Sequence, residues 1–298
     1  MAKIAANGLE LEYEDFGAKD APVILLVMGL GAQLTLWPDE FVAALVTRGF
    51  RVVRYDNRDV GLSTKFDAAG LPNIRWMMVK ALLGLKNRAP YSLSDMAADG
   101  IALMDALDIT RAHVVGASMG GMIAQRMAAE HGERLLSLTS IMSTTSHRKL
   151  PQSRPEALRV LTHRPVSDDA QARIEFGMLA ARTIGSPAYP ADAARLRARV
   201  AADQQRSYYP PAFVRHMAAI IADGDRRGIL AKVDTPTLVI HGTDDPLVPV
   251  EGGRDTAAHI AGAKLLEIPG MGHDLPLELV DQMADAIADH ARAAGRLE

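Results

Sequence analysis

Short apolar runs and longer amphipathic stretches take turns along the first half of the chain. Leu9–Phe16 alternates apolar with acidic positions, the period-two pattern of a strand with one face in water. Pro22–Met28 is short and continuously apolar, as buried strands are, and Arg51–Tyr55, Ala112–Val115 and Leu135–Met142 are further brief strand candidates. Between them, Pro38–Arg48, Ser94–Leu107 and Met119–Glu130 carry helical spacing. Ser92 and Asp95 form a capping box ahead of the second helix, and Gly132 stops the third. Apolar strands separated by helices predict a mostly parallel central sheet flanked by helices, an α/β fold.

The rhythm breaks after Ser143. Residues 144–228 show no strand pattern and instead four helical segments divided by prolines, among them Pro151, Pro165, Pro187 and Pro210. Strands and helices then return with Thr237–His241, Lys264–Ile268 and a closing helix over Pro276–Ala294. The expected organisation is one α/β core, residues 1–143 and 229–298, interrupted by a helical cap over 144–228. A second apolar segment, Gly70–Pro90, is long for a connection. Its Trp76, Met77, Met78, Val79, Leu82, Leu83 and Leu85, flanked by Arg75, Lys80, Lys86 and Arg88, predict a helix packed under the cap, a wall of a pocket or the surface of a homodimer, with membrane-surface contact the least favoured reading because the basic helix is short.

Composition narrows the chemistry. Thirty-three basic against thirty-six acidic residues give a formal charge of −3, which argues against nucleic acid as the main partner. There is no cysteine, so thiolate nucleophiles, disulfides and cysteine-ligated metals are excluded. The first twenty residues are charged throughout rather than built like a signal peptide, and the apolar run Ala21–Ala32 is too short to span a bilayer. A cytoplasmic protein is the expectation.

Gly116-Ala117-Ser118-Met119-Gly120 fits Gly-x-Ser-x-Gly and sits between a strand and a helix. That turn is sharp and needs small residues on both sides of the serine. It would present the Ser118 hydroxyl above the sheet, with the Met119 amide free at the helix start to meet a developing oxyanion. The bland reading is an ordinary βα loop with a helix-capping serine.

A serine hydroxyl needs a base and a group that orients the base. Two loops just past strand ends supply them: Gly242-Thr243-Asp244-Asp245-Pro246, and Pro269-Gly270-Met271-Gly272-His273. Asp245 precedes a stiff Pro-Leu-Val-Pro turn and is favoured over Asp244 for the acid. Among nine histidines, only His273 lies among glycines after a strand. His113, His241 and His259 read as packed structural residues and His131 and His290 as exposed helix ends. His147, His163 and His216 fall in the cap, solvated or lining a substrate. The loop Val27-Met28-Gly29-Leu30-Gly31 offers the Leu30 amide as a second oxyanion donor, with Gly29 letting backbone approach a ligand.

With these residues in view, the chain resembles the α/β-hydrolase superfamily almost end to end. Within it, the chain is similar to cofactor-free serine esterases of the aclacinomycin methylesterase-like group. That likeness rests on Val27-Met28-Gly29, Trp37-Pro38-Asp39-Glu40-Phe41 and Ile268-Pro269-Gly270-Met271-Gly272-His273. The resemblance implies Ser118 as nucleophile, Asp245 and His273 as its partners, and Leu30 and Met119 as oxyanion donors. It implies no metal and no organic cofactor. Two departures stand out. Met28 replaces the histidine many relatives carry, which removes a local loop hydrogen bond, and Asp59 replaces a usual glycine. Asp56 and Arg58 beside it are expected to form a structural ion pair.

The expected activity is hydrolysis of small, largely apolar carboxylic esters through an acyl-enzyme. Phe176, Tyr208, Tyr209 and Phe213 of the cap, with Trp76, Met77 and Gly29, are the candidate lining. Alternatives within the fold are an acyl or carbon–carbon bond hydrolase, a cofactor-free haloperoxidase (perhydrolase) and an aminopeptidase. The last would use cap carboxylates such as Glu156, Asp192 or Asp203 for the substrate ammonium. A small-molecule receptor that retains the fold is the non-enzymatic alternative.

Overall fold

A computed structural model describes residues 1–163 and 165–295. Its centre is an eight-stranded sheet: β1 (Ala2–Ala6), β2 (Leu9–Phe16), β3 (Val23–Val27), β4 (Arg51–Tyr55), β5 (Ala112–Ala117), β6 (Leu135–Ile141), β7 (Thr237–Gly242) and β8 (Lys264–Ile268). The spatial order is β1-β2-β4-β3-β5-β6-β7-β8. The strands from β4 through β8 pair in parallel, and β2 joins β4 and β1 antiparallel. β3, β4 and β5 are buried at every position, which is why β3 reads as a continuous apolar run, while β4 buries Arg51 and Arg54 beside its valines. β1, which the pattern does not predict, is a short, mostly exposed edge strand held by its pairing with β2.

The helices are α1 (Asp39–Thr47), α2 (Ile74–Leu82), α3 (Leu93–Ala106) and α4 (Met119–Glu130), then α5 (Pro155–Thr162), α6 (Ala170–Ile184), α7 (Ala193–Arg206) and α8 (Pro210–Asp223), and finally α9 (Arg227–Leu230), α10 (Glu251–Ala258) and α11 (Val280–Ala294). The capping box expected at Ser92 is present, with Ser92 and Asp95 bonding each other's backbone amide. The sheet separates two apolar cores. One packs α3 and α4 through Met96, Met104, Ile123 and Met127, and the other packs α1 and α11 through Trp37, Phe41, Met283 and Ile287.

Helices α5–α8 fill the stretch between β6 and β7, with no strand among its described residues. Pro155 and Pro210 occupy first-turn positions of α5 and α8, where a missing N–H costs nothing. The fully buried Arg226 ties the two ends of this stretch together: its amide donates to the Thr145 carbonyl at 2.9 Å and its guanidinium to the Thr144 carbonyl at 2.5 Å. The upper boundary expected at residue 228 falls inside α9.

Candidate active site

β5 ends in a tight elbow. Ser118 caps α4 at φ 57° and ψ −121°, a left-handed conformation that non-glycine residues rarely hold. Its amide donates to the Ile141 carbonyl at 2.9 Å, and Ser143 Oγ donates to its carbonyl at 2.8 Å. Both flanking glycines are required by space. A β-carbon on Gly116 would lie 2.1 Å from the Gly120 carbonyl oxygen, and one on Gly120 would lie 2.0 Å from that of Val27. The motif is therefore a packing solution that lifts one hydroxyl out of the sheet.

Two loops from β7 and β8 meet that hydroxyl. Ser118 Oγ lies 3.0 Å from His273 Nε2, and His273 Nδ1 lies 2.7 Å from Asp245 Oδ2. The other carboxylate oxygen, Asp245 Oδ1, accepts from the Leu247 and Val248 amides, both at 2.8 Å. Burial works to raise the Asp245 pKa. His273 and His241, the latter 3.5 Å from Oδ2, outweigh it and hold the carboxyl well below the usual carboxylate range. Asp244 points elsewhere: its Oδ2 accepts from the Gly270 amide at 3.0 Å and from Thr243 Oγ1 at 2.8 Å, bracing the β8 loop.

The loop after β3 lies against the elbow. A β-carbon on Gly29 would sit 3.1 Å from Ser118 Cβ and 3.5 Å from Ser118 Oγ. The Met119 amide opens α4, where no intrahelical acceptor exists. Among the described residues, neither it nor the Leu30 amide takes part in a turn or cap hydrogen bond. Residues after β4 hold the loop in place. Asn57 Nδ2 donates to the Met28 carbonyl at 2.8 Å, a tether at the position where a histidine is missing, and the Leu34 amide donates to Asp56 Oδ1 at 2.7 Å.

Several polar expectations are corrected here. Asp56 does not pair with Arg58; its partner is Arg206 of α7, at 2.8 Å, while Arg58 makes a bidentate pair with Asp99 of α3. The two side chains leave the turn after β4 toward different helices, α7 and α3. His290 is buried, not an exposed helix end, and its Nε2 lies 3.1 Å from the Pro236 carbonyl. His216 is neither solvated nor substrate-lining. It is fully buried, accepts from the Gly31 amide at Nδ1 (3.2 Å) and donates from Nε2 to the Arg58 carbonyl (3.0 Å).

The candidate lining residues separate. Phe213 of α8 packs on the Gly31 turn, 3.4 Å from where a β-carbon there would stand, and Phe176 is partly buried on α6. The Tyr209 hydroxyl is engaged by Asp67 and by Arg215, so it serves as an anchor. Tyr208 stacks under the Arg173 guanidinium, 4.4 Å from its ring centroid. Met77 and Trp76 lie on α2. α2 packs on α8 through Met77, which turns Trp76 outward.

Sequence reasoning missed the residues that steady the His273 loop. The His273 amide donates to the Ile184 carbonyl at the end of α6 (2.7 Å), and Ser186 Oγ bridges the Gly272 amide (2.8 Å) and Asp274 (2.5 Å). Burial raises the Asp274 pKa, against the pull of that Ser186 bond. An isolated Ser186 carries no motif, so no sequence signal marked it. No group of three or more metal-ligating side chains occurs among the described residues.

Residues 22–278 match the sequence profile of the alpha/beta hydrolase fold. The chain is 32% identical over 296 residues to the rhodomycin D methylesterase DnrP of Streptomyces peucetius, covering 92% of each chain. It is 33% identical over 297 residues to the rhodomycin D methylesterase DauP of Streptomyces sp. strain C5, again covering 92% of each. Among solved structures, an enol-lactonase from Burkholderia xenovorans LB400 superposes with a TM-score of 0.72 at 26% identity, covering 98% of this chain and 100% of that one. With the elbow, the sheet order and these matches in agreement, the chain belongs to the α/β-hydrolase fold family.

Proposed function

We propose that the chain is a serine carboxylesterase that hydrolyses small, largely apolar esters through an acyl-enzyme. The observation that carries this is the continuous relay Ser118 Oγ–His273 Nε2 at 3.0 Å and His273 Nδ1–Asp245 Oδ2 at 2.7 Å, with the acid buried and ionised. An acceptor-only carboxylate selects the tautomer with the proton on Nδ1, which leaves Nε2 free as a base. His273 takes the Ser118 proton as Oγ attacks the ester carbonyl. The Leu30 and Met119 amides receive the oxyanion, and His273 then protonates the departing alcohol. Water repeats the sequence and releases the acid. No step calls for a metal or organic cofactor.

Residues 144–228 act in this reading as a cap whose Phe176 and Phe213 give the pocket its apolar character. Relatives named methylesterases favour methanol among the leaving alcohols. The aminopeptidase alternative loses ground because cap carboxylates are already engaged. Asp192 caps α7, and Asp203 accepts from Thr35 Oγ1 at 2.7 Å.

The test is hydrolysis of p-nitrophenyl esters from acetate to palmitate, with a methyl ester panel, for the wild type beside Ser118→Ala. The substitution should lower kcat by about a thousandfold or more. Unchanged turnover in Ser118→Ala overturns the nucleophile. A wild type silent on every ester but tight for small apolar ligands transfers the fold to a binding role.

A further inference from the structure

Among the described residues, six exposed large apolar side chains fall within one stretch of ten residues. Trp76, Met78, Val79, Leu82, Leu83 and Leu85 lie on or just after α2, and all are exposed, Leu82 at 81% and Leu83 at 67%. The helix uses Met77 to pack on α8, so the opposite, apolar side faces out. Leaving such a face in water is unfavourable, and it marks a contact surface. The charge around it identifies the partner. Between residues 70 and 90 stand Arg75, Lys80, Lys86 and Arg88 with no acidic residue, although the whole chain is net negative at −3. None of the four forms an ion pair among the described residues; Lys80 lies over the Trp76 ring, 5.8 Å from its centroid. Lys80, Lys86 and Arg88 also border a cleft of about 310 Å³ together with Trp76, Asn73 and Asn87.

We propose that α2 and the turn after it dock the protein on an anionic phospholipid surface. The apolar side chains enter the acyl boundary, and the cation-lined cleft receives a headgroup phosphate. A helix with tryptophan and leucine on its outer face and Lys and Arg beside them has the composition of an in-plane interfacial helix. A second copy of the chain is the poorer occupant. Two-fold pairing sets the same patch against itself, and four unpaired cations would then meet four. Nine residues do not cross a bilayer, so the contact is peripheral.

The proposal stands apart from the esterase reading, and so does its test. The full-length protein is mixed with vesicles of phosphatidylcholine, with and without phosphatidylglycerol, and followed by flotation and tryptophan emission. Trp37 is fully buried, so a blue shift reports Trp76. Binding is expected to the anionic vesicles only and to weaken with salt. It should be lost in Leu82→Gln/Leu83→Gln and fall about a hundredfold in Lys80→Gln/Lys86→Gln/Arg88→Gln. Both variants should keep the wild-type melting temperature and p-nitrophenyl acetate turnover. No binding to anionic vesicles at low salt overturns the proposal, as does equal binding to neutral ones. A dimer in sedimentation that Leu82→Gln/Leu83→Gln dissociates assigns the face to a second copy and overturns it too.

Discussion

Two neighbouring carboxylates, Asp244 and Asp245, show what one residue of register decides. The sequence left both open for the acid, favouring the one before proline. The stiff Pro246 turn aims the Leu247 and Val248 amides at Asp245 Oδ1, which frees Oδ2 for His273, while Asp244 braces the Gly270 amide. Asp245→Asn should therefore keep the fold and lower kcat by about a thousandfold or more, because the amide no longer selects the His273 tautomer. Asp244→Asn should stay within about tenfold of the wild type. Steady-state kinetics on one p-nitrophenyl ester checks both, and equal losses would refute the assignment. Gly29 makes a second case. A methyl group 3.1 Å from Ser118 Cβ is tighter than ordinary contact, so Gly29→Ala should shift Ser118 and, on the proposed mechanism, reduce kcat at least about tenfold. A melting temperature near that of the wild type would accompany it. What was legible at this scale was whatever a strand end and a turn specify locally, which is why Ser118, Asp245 and His273 could be read. Asp56 with Arg206 and Arg58 with Asp99 could not, since each pair joins elements distant in sequence.

Between elements, the link that matters most joins the segment after β4 to α8. Asp59, at φ 75°, stands where a glycine would be conformationally easier, and its carboxylate holds Arg215, the Tyr91 hydroxyl and the Phe66 amide. Burial works against the Asp59 charge, yet the Arg215 bond keeps its pKa below the ordinary value. The polar residue thus exchanges backbone comfort for a tie to α8, which also carries His216 and Phe213. Asp59→Gly should relieve about 1 kcal/mol of backbone strain. It would leave the buried Arg215 guanidinium without its carboxylate, at a cost of about 3 kcal/mol or more. Urea unfolding should show a net loss of about 2 kcal/mol, and a stabilised variant would show that strain dominates. The strands and the helices against them were readable because burial on both faces leaves an apolar run, and amphipathic helices leave a 3.6-residue stripe. α2 was legible only in part, for a related reason. Apolar composition suggests a packed helix, and α2 does pack on α8 through Met77, its one buried residue, but no sequence pattern says which apolar face has a partner.

At the scale of the whole molecule, buried ionisable groups set the response to acid. His216 is enclosed by Asp59 and Arg58 of the segment after β4, by Tyr91 ahead of α3, whose ring meets it edge-on, and by Arg215 on its own helix. Burial lowers its pKa to about 4 despite the bond to the Arg58 carbonyl, and burial also lowers that of His290. An unfolded histidine titrates near ~6.5, so between that pH and about 4 the unfolded chain takes up a proton that native His216 refuses. Stability must then fall as pH drops through this window, by up to about 3 kcal/mol from His216 alone. Asp99, Asp203 and Asp274, pushed up by burial, act in the opposite sense: native carboxyls bind protons above the unfolded value of ~3.9, which favours the fold as pH drops. The depressed Asp245 contributes stability above ~3.9 that is lost only on further acidification. Because these effects overlap, the discriminating quantity is a difference between proteins. Urea unfolding from pH 7 to 4.5 should show a steeper loss for the wild type than for His216→Gln, which cannot titrate there. The two slopes should differ by about 1 kcal/mol per pH unit near pH 5. The same variant should lose kcat more than it raises KM, since the Gly31 amide loses its acceptor and the loop bearing the Leu30 amide is released. Equal slopes would mean that His216 is protonated in the native state, so that Nδ1 could not accept from the Gly31 amide, while the Nε2 bond to the Arg58 carbonyl would stand.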